Sequence, residues 1–276
     1  MHTIRPAAVA GSFYPGHSQA LADHVDQLLK NAAFDAQPVV NSTKRSIPPK
    51  AIIVPHAGYI YSGQTAAVAY HKLAEWHDTI KRVILLGPVH RVPVHGLALP
   101  DVDAFTTPLG EVKLDKAAIA SISNMQQVIT SYPAHAQEHS LEVQLPFLQS
   151  VLDDFKLVPL AVGDATPEEV AEVMEALWGG PETIIIVSSD LSHFLSYSVA
   201  NEVDKSTVKN ILSLQGSLTH HQACGGTPVN GLILTAKKHH LHPTLLDLCN
   251  SGDTAGDKNR VVGYTAFAFT EDSANA

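Results

Sequence analysis

The sequence predicts an α/β fold, with a central, largely parallel or mixed sheet and helices on both of its faces. Three continuous apolar runs, at residues 51–54, 82–88 and 183–189, have the length and β-branched content of strands buried on both sides. Polar residues follow each run directly, and helix-type patterns separate the runs along the chain. Strand, polar turn and helix in succession form the repeating unit of an open α/β sheet.

The first elements are a helix, a buried strand and a second helix. Ser18 can cap a helix that runs to about residue 29, with leucine and valine side chains along one face. Pro49 and Pro55 bound the strand at 51–54, and the small residues at 64–70 indicate the helix that follows.

Shorter elements follow the strand at 82–88. Residues 96–100 and 111–114 alternate in polarity, which indicates edge or antiparallel strands. Between them, the Pro and Gly content of residues 104–110 predicts a loop. A leucine stripe over 141–152 indicates a helix. Because Pro146 lies inside the stripe, that helix either begins near Pro146 or is kinked there.

The C-terminal half repeats the alternation of strands and helices. We predict strands at 156–162, 183–189, about 244–248 and about 261–269. We predict helices at 164–178, where early glutamates suit a helix N-terminus, at about 199–212, and after Cys224 through residue 238. The chain contains no linker-like stretch long enough to divide it and no internal repeat, so we expect one domain over residues 1–276.

The composition excludes several classes of protein. The net charge is −9 and the basic residues form no dense block, which argues against a nucleic-acid or anionic-membrane surface. The apolar runs are too short to span a membrane, and the N-terminus lacks the pattern of a signal peptide. The chain has only two cysteines, Cys224 and Cys249, and they form no CxxC pair, so we expect the protein to reside in the reducing cytoplasm. No phosphate loop, nucleophile elbow or dinucleotide fingerprint is present.

The polar residues that follow the three strands point to one site. His56 follows the first strand, His90 the second, and Asp190 and His193 the third. Because α/β sheets bind ligands beyond the carboxyl ends of their strands, we expect these side chains to cluster at one edge of the sheet. A structure with His56 and His90 on opposite faces would contradict this expectation.

A metal site is the first candidate at this edge, with His56, His90 and Cys224 as ligands. Imidazole and thiolate suit iron, copper or zinc, and three protein ligands leave positions open for water or a substrate. Cys224 precedes two glycines at a predicted helix start, where a thiolate is favoured. The alternative is two loop histidines and a buried thiol that never meet.

Two further groups accompany these ligands. Asp190 can orient His193 or another imidazole, and His193 can act as a general acid or base; the alternative is a cap at the end of a strand. His139 and Glu142 are three residues apart and would share a face of a helix. We predict that these two residues line the pocket rather than bind the metal.

At these residues the chain resembles the Memo family, protein B of the AmmeMemoRadiSam group. The matching pieces span nearly the whole chain in order: GSFY (11–14), PHAGY (55–59), LGPVH (86–90), EHSLE (138–142), VSSDLSH (187–193) and CGGTP (224–228), with NSGD (250–253) and VGY (262–264) as in its bacterial branch. That family is similar to the class III extradiol dioxygenases, which hold non-haem iron with two histidines and a glutamate.

The resemblance implies a three-layer α/β/α sandwich with a metal-type pocket. The two dioxygenase histidines correspond to His56 and His90, the catalytic base to His193, and the glutamate to Cys224. A thiolate in place of that carboxylate argues against ring cleavage and favours a softer or redox-active metal. The resemblance therefore implies iron(II) or copper as the cofactor, with zinc as a further candidate.

Three functions are compatible with these observations. The chain is a metal-dependent oxidoreductase, dioxygenase-like, for an unknown small molecule; or it is a binding or scaffold protein whose pocket takes a peptide or partner; or it is a metal carrier or sensor. The resemblance also implies radical-SAM and AMMECR-type proteins as partners.

Overall fold

A mixed β-sheet lies between two layers of helices in the computed structural model, which describes residues 2–35 and 48–271. The described strands, in chain order, are β1 (Ile4–Arg5), β2 (Pro49–Val54), β3 (Arg82–Pro88), β4 (Leu97–Leu99), β5 (Ala104–Thr107), β6 (Gly110–Lys113), β7 (Val128–Thr130), β8 (Lys156–Val162), β9 (Thr183–Ser188), β10 (His193–Leu195), β11 (His242–Asn250) and β12 (Val261–Thr270). The described helices are α1 (Ser18–Asp35), α2 (Tyr59–Leu73), α3 (Lys116–Ile122), α4 (Tyr132–Ala136), α5 (Leu145–Val151), α6 (Pro167–Ala176), α7 (Tyr197–Leu212) and α8 (Gly226–Lys238).

The centre of the main sheet is parallel. β2 pairs with β9, β9 with β3, and β3 with β8, all in parallel. Antiparallel strands extend both sides, because β12 pairs with β2 and β4 pairs with β8. The predicted α/β fold is confirmed, and the sheet is the mixed variant of it.

Alternate residues of the central strands face two separate cores. Ile52 and Val54 pack with α1, α2 and α5, whereas Ala51 and Ile53 pack with α3, α6, α7 and α8. Successive side chains of a strand point to opposite faces, so an apolar run without polar interruptions is what a sheet covered on both sides requires. This packing is the observed basis of the three layers.

Two local expectations are settled by the structure. α5 begins at Leu145 with Pro146 in its first turn, where the missing N–H of proline costs nothing, so the helix begins near Pro146 and is not kinked there. The loop predicted over 104–110 is wrong for residues 104–107. β5 pairs with β1 and β6, and burial of Ala104 and Phe105 outweighs the local Pro and Gly signals.

Across residues 2–35 and 48–271, none of the helices combines the length and apolar content that crossing a membrane requires.

Candidate metal centre

The carboxyl ends of three neighbouring strands and the start of α8 meet at one edge of the sheet. His56, His90 and Asp190 each lie two residues beyond the end of β2, β3 and β9, and Cys224 lies two residues before α8. The rings of His56 and His90 are 5.1 Å apart between centroids. The structure therefore brings the predicted ligands together, on the same side of the molecule.

His56 is held by hydrogen bonds at both its backbone and its ring. Its backbone N–H donates to Oδ1 of Asp190 (2.7 Å), and its Nδ1 lies 3.0 Å from Oγ of Ser188. The Ser188 hydroxyl donates its one hydrogen to the Ser140 carbonyl oxygen (2.6 Å), so Oγ accepts from Nδ1–H of His56. Nε2 of His56 therefore keeps its lone pair, and this atom lies 3.2 Å from Sγ of Cys224.

His90 has the same arrangement with a carboxylate as partner. Its Nδ1 lies 2.9 Å from Oε1 of Glu138, and its backbone N–H donates to Oε2 of Glu138. Burial opposes ionisation of Glu138, but the hydrogen bonds from His90 and Ser140 outweigh it and lower the pKa of the carboxyl to about 2. The resulting carboxylate accepts from Nδ1–H, which leaves Nε2 of His90 free for a ligand bond.

Cys224 sits in a tight turn against the end of β9. Its backbone N–H donates to the Asp190 carbonyl oxygen (3.2 Å), and the next N–H, of Gly225, donates to Oγ of Ser189 (3.0 Å). A Cβ on Gly225 would lie 2.7 Å from Cβ of Ser189, so this close approach requires glycine. The predicted thiolate is wrong for the metal-free chain, because burial raises the pKa of the Cys224 thiol to about 12.

The chemistry and spacing of these donors fit one metal ion. His56, His90 and Cys224 each offer one ligand atom, and these three atoms lie within 4.8 Å of one another. Donors around a single tetrahedral ion are separated by roughly 3.3–3.8 Å, given metal–ligand bonds of about 2.0–2.3 Å. Among the described residues, His90, Glu138 and His139 form a second group with the same spacing.

Burial favours the neutral form of three imidazoles around the site, those of His56, His139 and His193. Burial lowers the pKa of His56 well below its usual value, and burial lowers the pKa of His139 to about 4. Burial also lowers the pKa of His193. Protons therefore compete little with a metal ion for these imidazoles at neutral pH.

The side chain of Asp190 contacts the backbone of His56 and not the ring of His193. Its carboxylate accepts the N–H of His56, and burial raises its pKa to about 7. Nδ1–H of His193 donates instead to the Leu191 carbonyl oxygen (2.8 Å). The predicted Asp190–His193 pair is thus replaced by the strand-end cap that was its alternative. Nε2 of His193 retains its lone pair and remains available as a base.

A bulge in β10 orients His193. The register with β12 shifts between His193 and Leu195, and Phe194 between them has φ 59°, in the left-handed region. A bulge re-aims the side chains of its strand, and here the rings of His193 and Phe194 lie 5.7 Å apart. We predicted no strand at residues 193–195, where the structure has β10.

His139 and Glu142 have different fates. The His139 ring lies 4.7 Å from those of His90 and Phe13 and 5.5 Å from that of His56, between centroids, so it borders the two candidate ligands. The shared helix face is wrong, because residues 138–141 are not helical and a 3-10 turn begins at Glu142.

Glu142 does not line the pocket, because its side chain has no exposed surface. Its carboxylate forms an ion pair with Arg5, accepts from the backbone N–H groups of Ala8 (2.8 Å) and Val9 (3.0 Å), and accepts from the Tyr14 hydroxyl (2.5 Å). Glu142 therefore holds the N-terminal segment in place. That segment supplies Phe13, whose ring packs on His139.

Sequence reasoning missed Ser188 and Glu138, the hydrogen-bond partners of the candidate ligands His56 and His90. Both lie inside the motifs quoted above, but their contacts join residues 132 and 48 positions apart. The available signal was their position in the sequence, since Ser188 lies two residues before Asp190 and Glu138 lies directly before His139.

Comparisons with known proteins agree over nearly the full length. The family model described as Memo-like protein matches residues 5–268. A MEMO1 family protein of Ignicoccus hospitalis is 35% identical over 284 residues, covering 96% of this chain and 98% of the relative. Similar proteins of the same description in Metallosphaera sedula (34% identical; 97% of this chain, 99% of the relative) and Aquifex aeolicus (34%; 96% and 99%) also match.

Proposed function

The chain belongs to the Memo family, and on that premise we propose that it is a metalloprotein in which His56, His90 and Cys224 hold one redox-active iron(II) or copper ion. The observation that carries the proposal is the 3.2 Å contact between Nε2 of His56 and Sγ of Cys224, beside a second imidazole whose Nε2 is also free. We further propose that the ion serves oxidation or reduction of a small molecule.

The donor set narrows the choice of metal. A thiolate with two imidazoles suits iron, copper and zinc better than the oxygen-loving ions magnesium and calcium. When bound, a redox-active ion supplies electron transfer to or from a molecule in its open coordination positions. The glutamate of the dioxygenases is a thiol here, so we do not propose ring cleavage as the reaction.

The remaining residues act on protons and position. His193 lies in the bulge of β10, and its neutral Nε2 can accept a proton from a bound molecule. Asp190 holds the His56 backbone, so in this proposal it positions a ligand and does not react. His139 and Phe13 border the space beside the ligands.

A binding function is the second candidate, and exposed apolar side chains favour it. Ile60 and Phe194 are 67% and 60% exposed, within four residues of His56 and one of His193. Exposed apolar side chains close in sequence to these histidines suit contact with a peptide or a partner protein. The radical-SAM and AMMECR-type partners expected from the family resemblance belong to this candidate.

The metal content of anaerobically purified protein tests the proposal. We expect close to one iron or copper per chain in the wild type, and almost none in His56→Ala. A wild type that holds no metal after purification and after anaerobic reconstitution would contradict the proposal that the chain is a metalloprotein. Oxygen or reductant consumption by the loaded protein favours the enzyme, whereas stable binding of a purified AMMECR-type protein without consumption favours the scaffold.

A further inference from the structure

Glu138 is a buried carboxylate surrounded by backbone donors. Its side chain is 1% exposed, and Oε1 accepts from the N–H groups of His139 (2.9 Å) and Ser140 (3.0 Å). Oε2 accepts from the backbone N–H of His90 (2.5 Å). Three backbone hydrogen bonds fix the carboxylate in place and favour its ionised form.

The ring of His90 makes the fourth hydrogen bond of this carboxylate. Nδ1 of His90 lies 2.9 Å from Oε1, and an ionised carboxylate can only accept, so Nδ1 carries the proton. Glu138 thus binds both the backbone and the ring of the same residue. It sets the position of His90, the rotation of its imidazole and the nitrogen that is left for a metal ion.

The two ligand histidines differ in what stands behind them. Nδ1–H of His56 donates to the neutral hydroxyl of Ser188, whereas Nδ1–H of His90 donates to a carboxylate. Hydrogen bonds to a charged acceptor are stronger, and a carboxylate behind an imidazole raises its basicity as a ligand. His90 should therefore form the stronger bond of the two to an ion.

A second metal position is the competing explanation for the same residues. His90, Glu138 and His139 offer three donor atoms within 4.8 Å, and Nδ1 of His139 is buried without a hydrogen bond. Against this, both oxygens of Glu138 are already occupied by backbone N–H groups that no ion can replace without leaving them unpaired. The contacts of Glu138 are those of a support and not of a ligand.

We propose that Glu138 is a positioning residue of the metal centre, which fixes His90 in the Nδ1–H tautomer and strengthens its bond to the ion. This inference rests on the proposed function, since it needs an ion at His56, His90 and Cys224. It assigns a role to the first residue of the EHSLE motif, whose last glutamate, Glu142, holds the N-terminal segment.

Anaerobic titration with Co(II), followed by the thiolate-to-cobalt absorption, tests the inference in the full chain. We expect Glu138→Gln to weaken Co(II) binding by about 10- to 100-fold. Asp115→Asn is the matched control, because Asp115 is also a buried carboxylate that accepts a backbone N–H (from Ala118, 3.1 Å) and a side-chain donor (Arg82, 2.7 Å). Asp115 lies at the opposite edge of the sheet, where Arg82 begins β3, so this control should bind Co(II) like the wild type.

A second readout needs no metal, and its decisive measurement is made on the wild type. In wild type with 15N-labelled histidine and no added metal, NMR at high pH, where the ring carries a single proton, should show that proton of His90 on Nδ1 and none on Nε2. In Glu138→Gln, if it folds, the two tautomers should both be populated. A neutral His90 ring whose single proton is on Nε2 in the wild type would overturn the proposal even if the variant fails to fold.

The outcomes separate this inference from the proposed function. Equal Co(II) affinity of Glu138→Gln and wild type would overturn the role of Glu138 and leave the metal centre standing. Two Co(II) ions per wild-type chain, one of them lost in Glu138→Gln, would make Glu138 a ligand of a second ion and also overturn it. A wild type that binds no Co(II), iron or copper would remove the proposed function itself.

Discussion

Nε2 of His56 lies 3.2 Å from Sγ of Cys224, although 168 residues separate the two along the chain. Parallel pairing of β2 with β9 brings the end of β2 beside the turn that carries Cys224, and Gly225 lets that turn approach. In the metal-free chain the contact joins a neutral imidazole and a neutral thiol. A metal ion would replace the thiol proton and bind both atoms.

The first prediction concerns the reactivity of Cys224. Metal binding should slow alkylation of this thiol, on the order of tenfold or more, because a sulfur bound to an ion no longer reacts as a nucleophile. The rate is measured by mass spectrometry with and without Fe(II), Cu or Zn, at pH 9, where more thiolate forms. Cys249 is the internal control, since its sulfur contacts Thr65 and lies outside the ligand group. The same rate at Cys224 with and without metal would remove it from the site.

The second prediction separates the base from the ligands. His193→Ala should retain most of the metal affinity and lose any turnover, because His193 contacts the Leu191 carbonyl and lies outside the ligand group. His56→Ala should lose the metal. Affinity is measured by competition with a chelator of known strength. If both variants lose the metal equally, His193 is a ligand and its assigned role is wrong.

The third prediction concerns stability in acid. Burial lowers the pKa of His135 to about 4, whereas the unfolded chain titrates near 6.5. The unfolded state therefore takes up this proton first as pH falls, so the stability is complete above pH 6.5 and is lost between pH 6.5 and 4. His135 alone should cost about 2 kcal/mol between pH 7 and pH 5.

Urea unfolding of wild type and His135→Gln at these two pH values measures this cost. Glutamine can still donate to the Ala98 carbonyl oxygen, which accepts from Nε2 of His135 (2.8 Å). The variant should lose less stability on acidification than the wild type. It keeps some pH dependence, because His56, His139 and His193 are also held neutral. Parallel losses in the two proteins would contradict the prediction.

The fourth prediction concerns the ion pair of Arg5 and Glu142, in which neither side chain is exposed. Arg5→Ala should lower the free energy of unfolding by about 3–5 kcal/mol, because it leaves a buried carboxylate without its counter-charge. Lys30→Ala is the control, since Lys30 pairs with Asp26 on the surface of α1 and should change stability by less than about 0.5 kcal/mol. Similar small effects of both variants would show that Glu142 needs no partner.

The strands and the proximity of His56 to His90 could be predicted because both follow from local patterns. Continuous apolar runs mark strands that are buried on two faces, and the polar residue after each run marks the edge where ligands bind. The short strand β5 could not be predicted this way. Its stability comes from pairing with β1 and β6, on which the Pro and Gly content of 104–110 carries no information.

The roles of the carboxylates could not be predicted from spacing. Glu138, Glu142 and Asp190 all stand near candidate histidines in the sequence, but their partners are set by the packing of distant segments. Glu142 meets Arg5 at a separation of 137 residues, and Asp190 meets the His56 backbone at 134. The predicted thiolate form of Cys224 was wrong for a similar reason. Burial raises the pKa of its thiol by more than its position before a helix lowers it.

X-ray absorption at the metal edge of the iron- or copper-loaded protein tests the joint binding of one ion by His56, His90 and Cys224 most directly. We predict one sulfur neighbour at about 2.3 Å and two imidazole nitrogens at about 2.0–2.1 Å, with the sulfur lost in Cys224→Ser and retained in Cys249→Ser. A metal shell without sulfur in the wild type, or a sulfur that persists in Cys224→Ser, would contradict the proposed site.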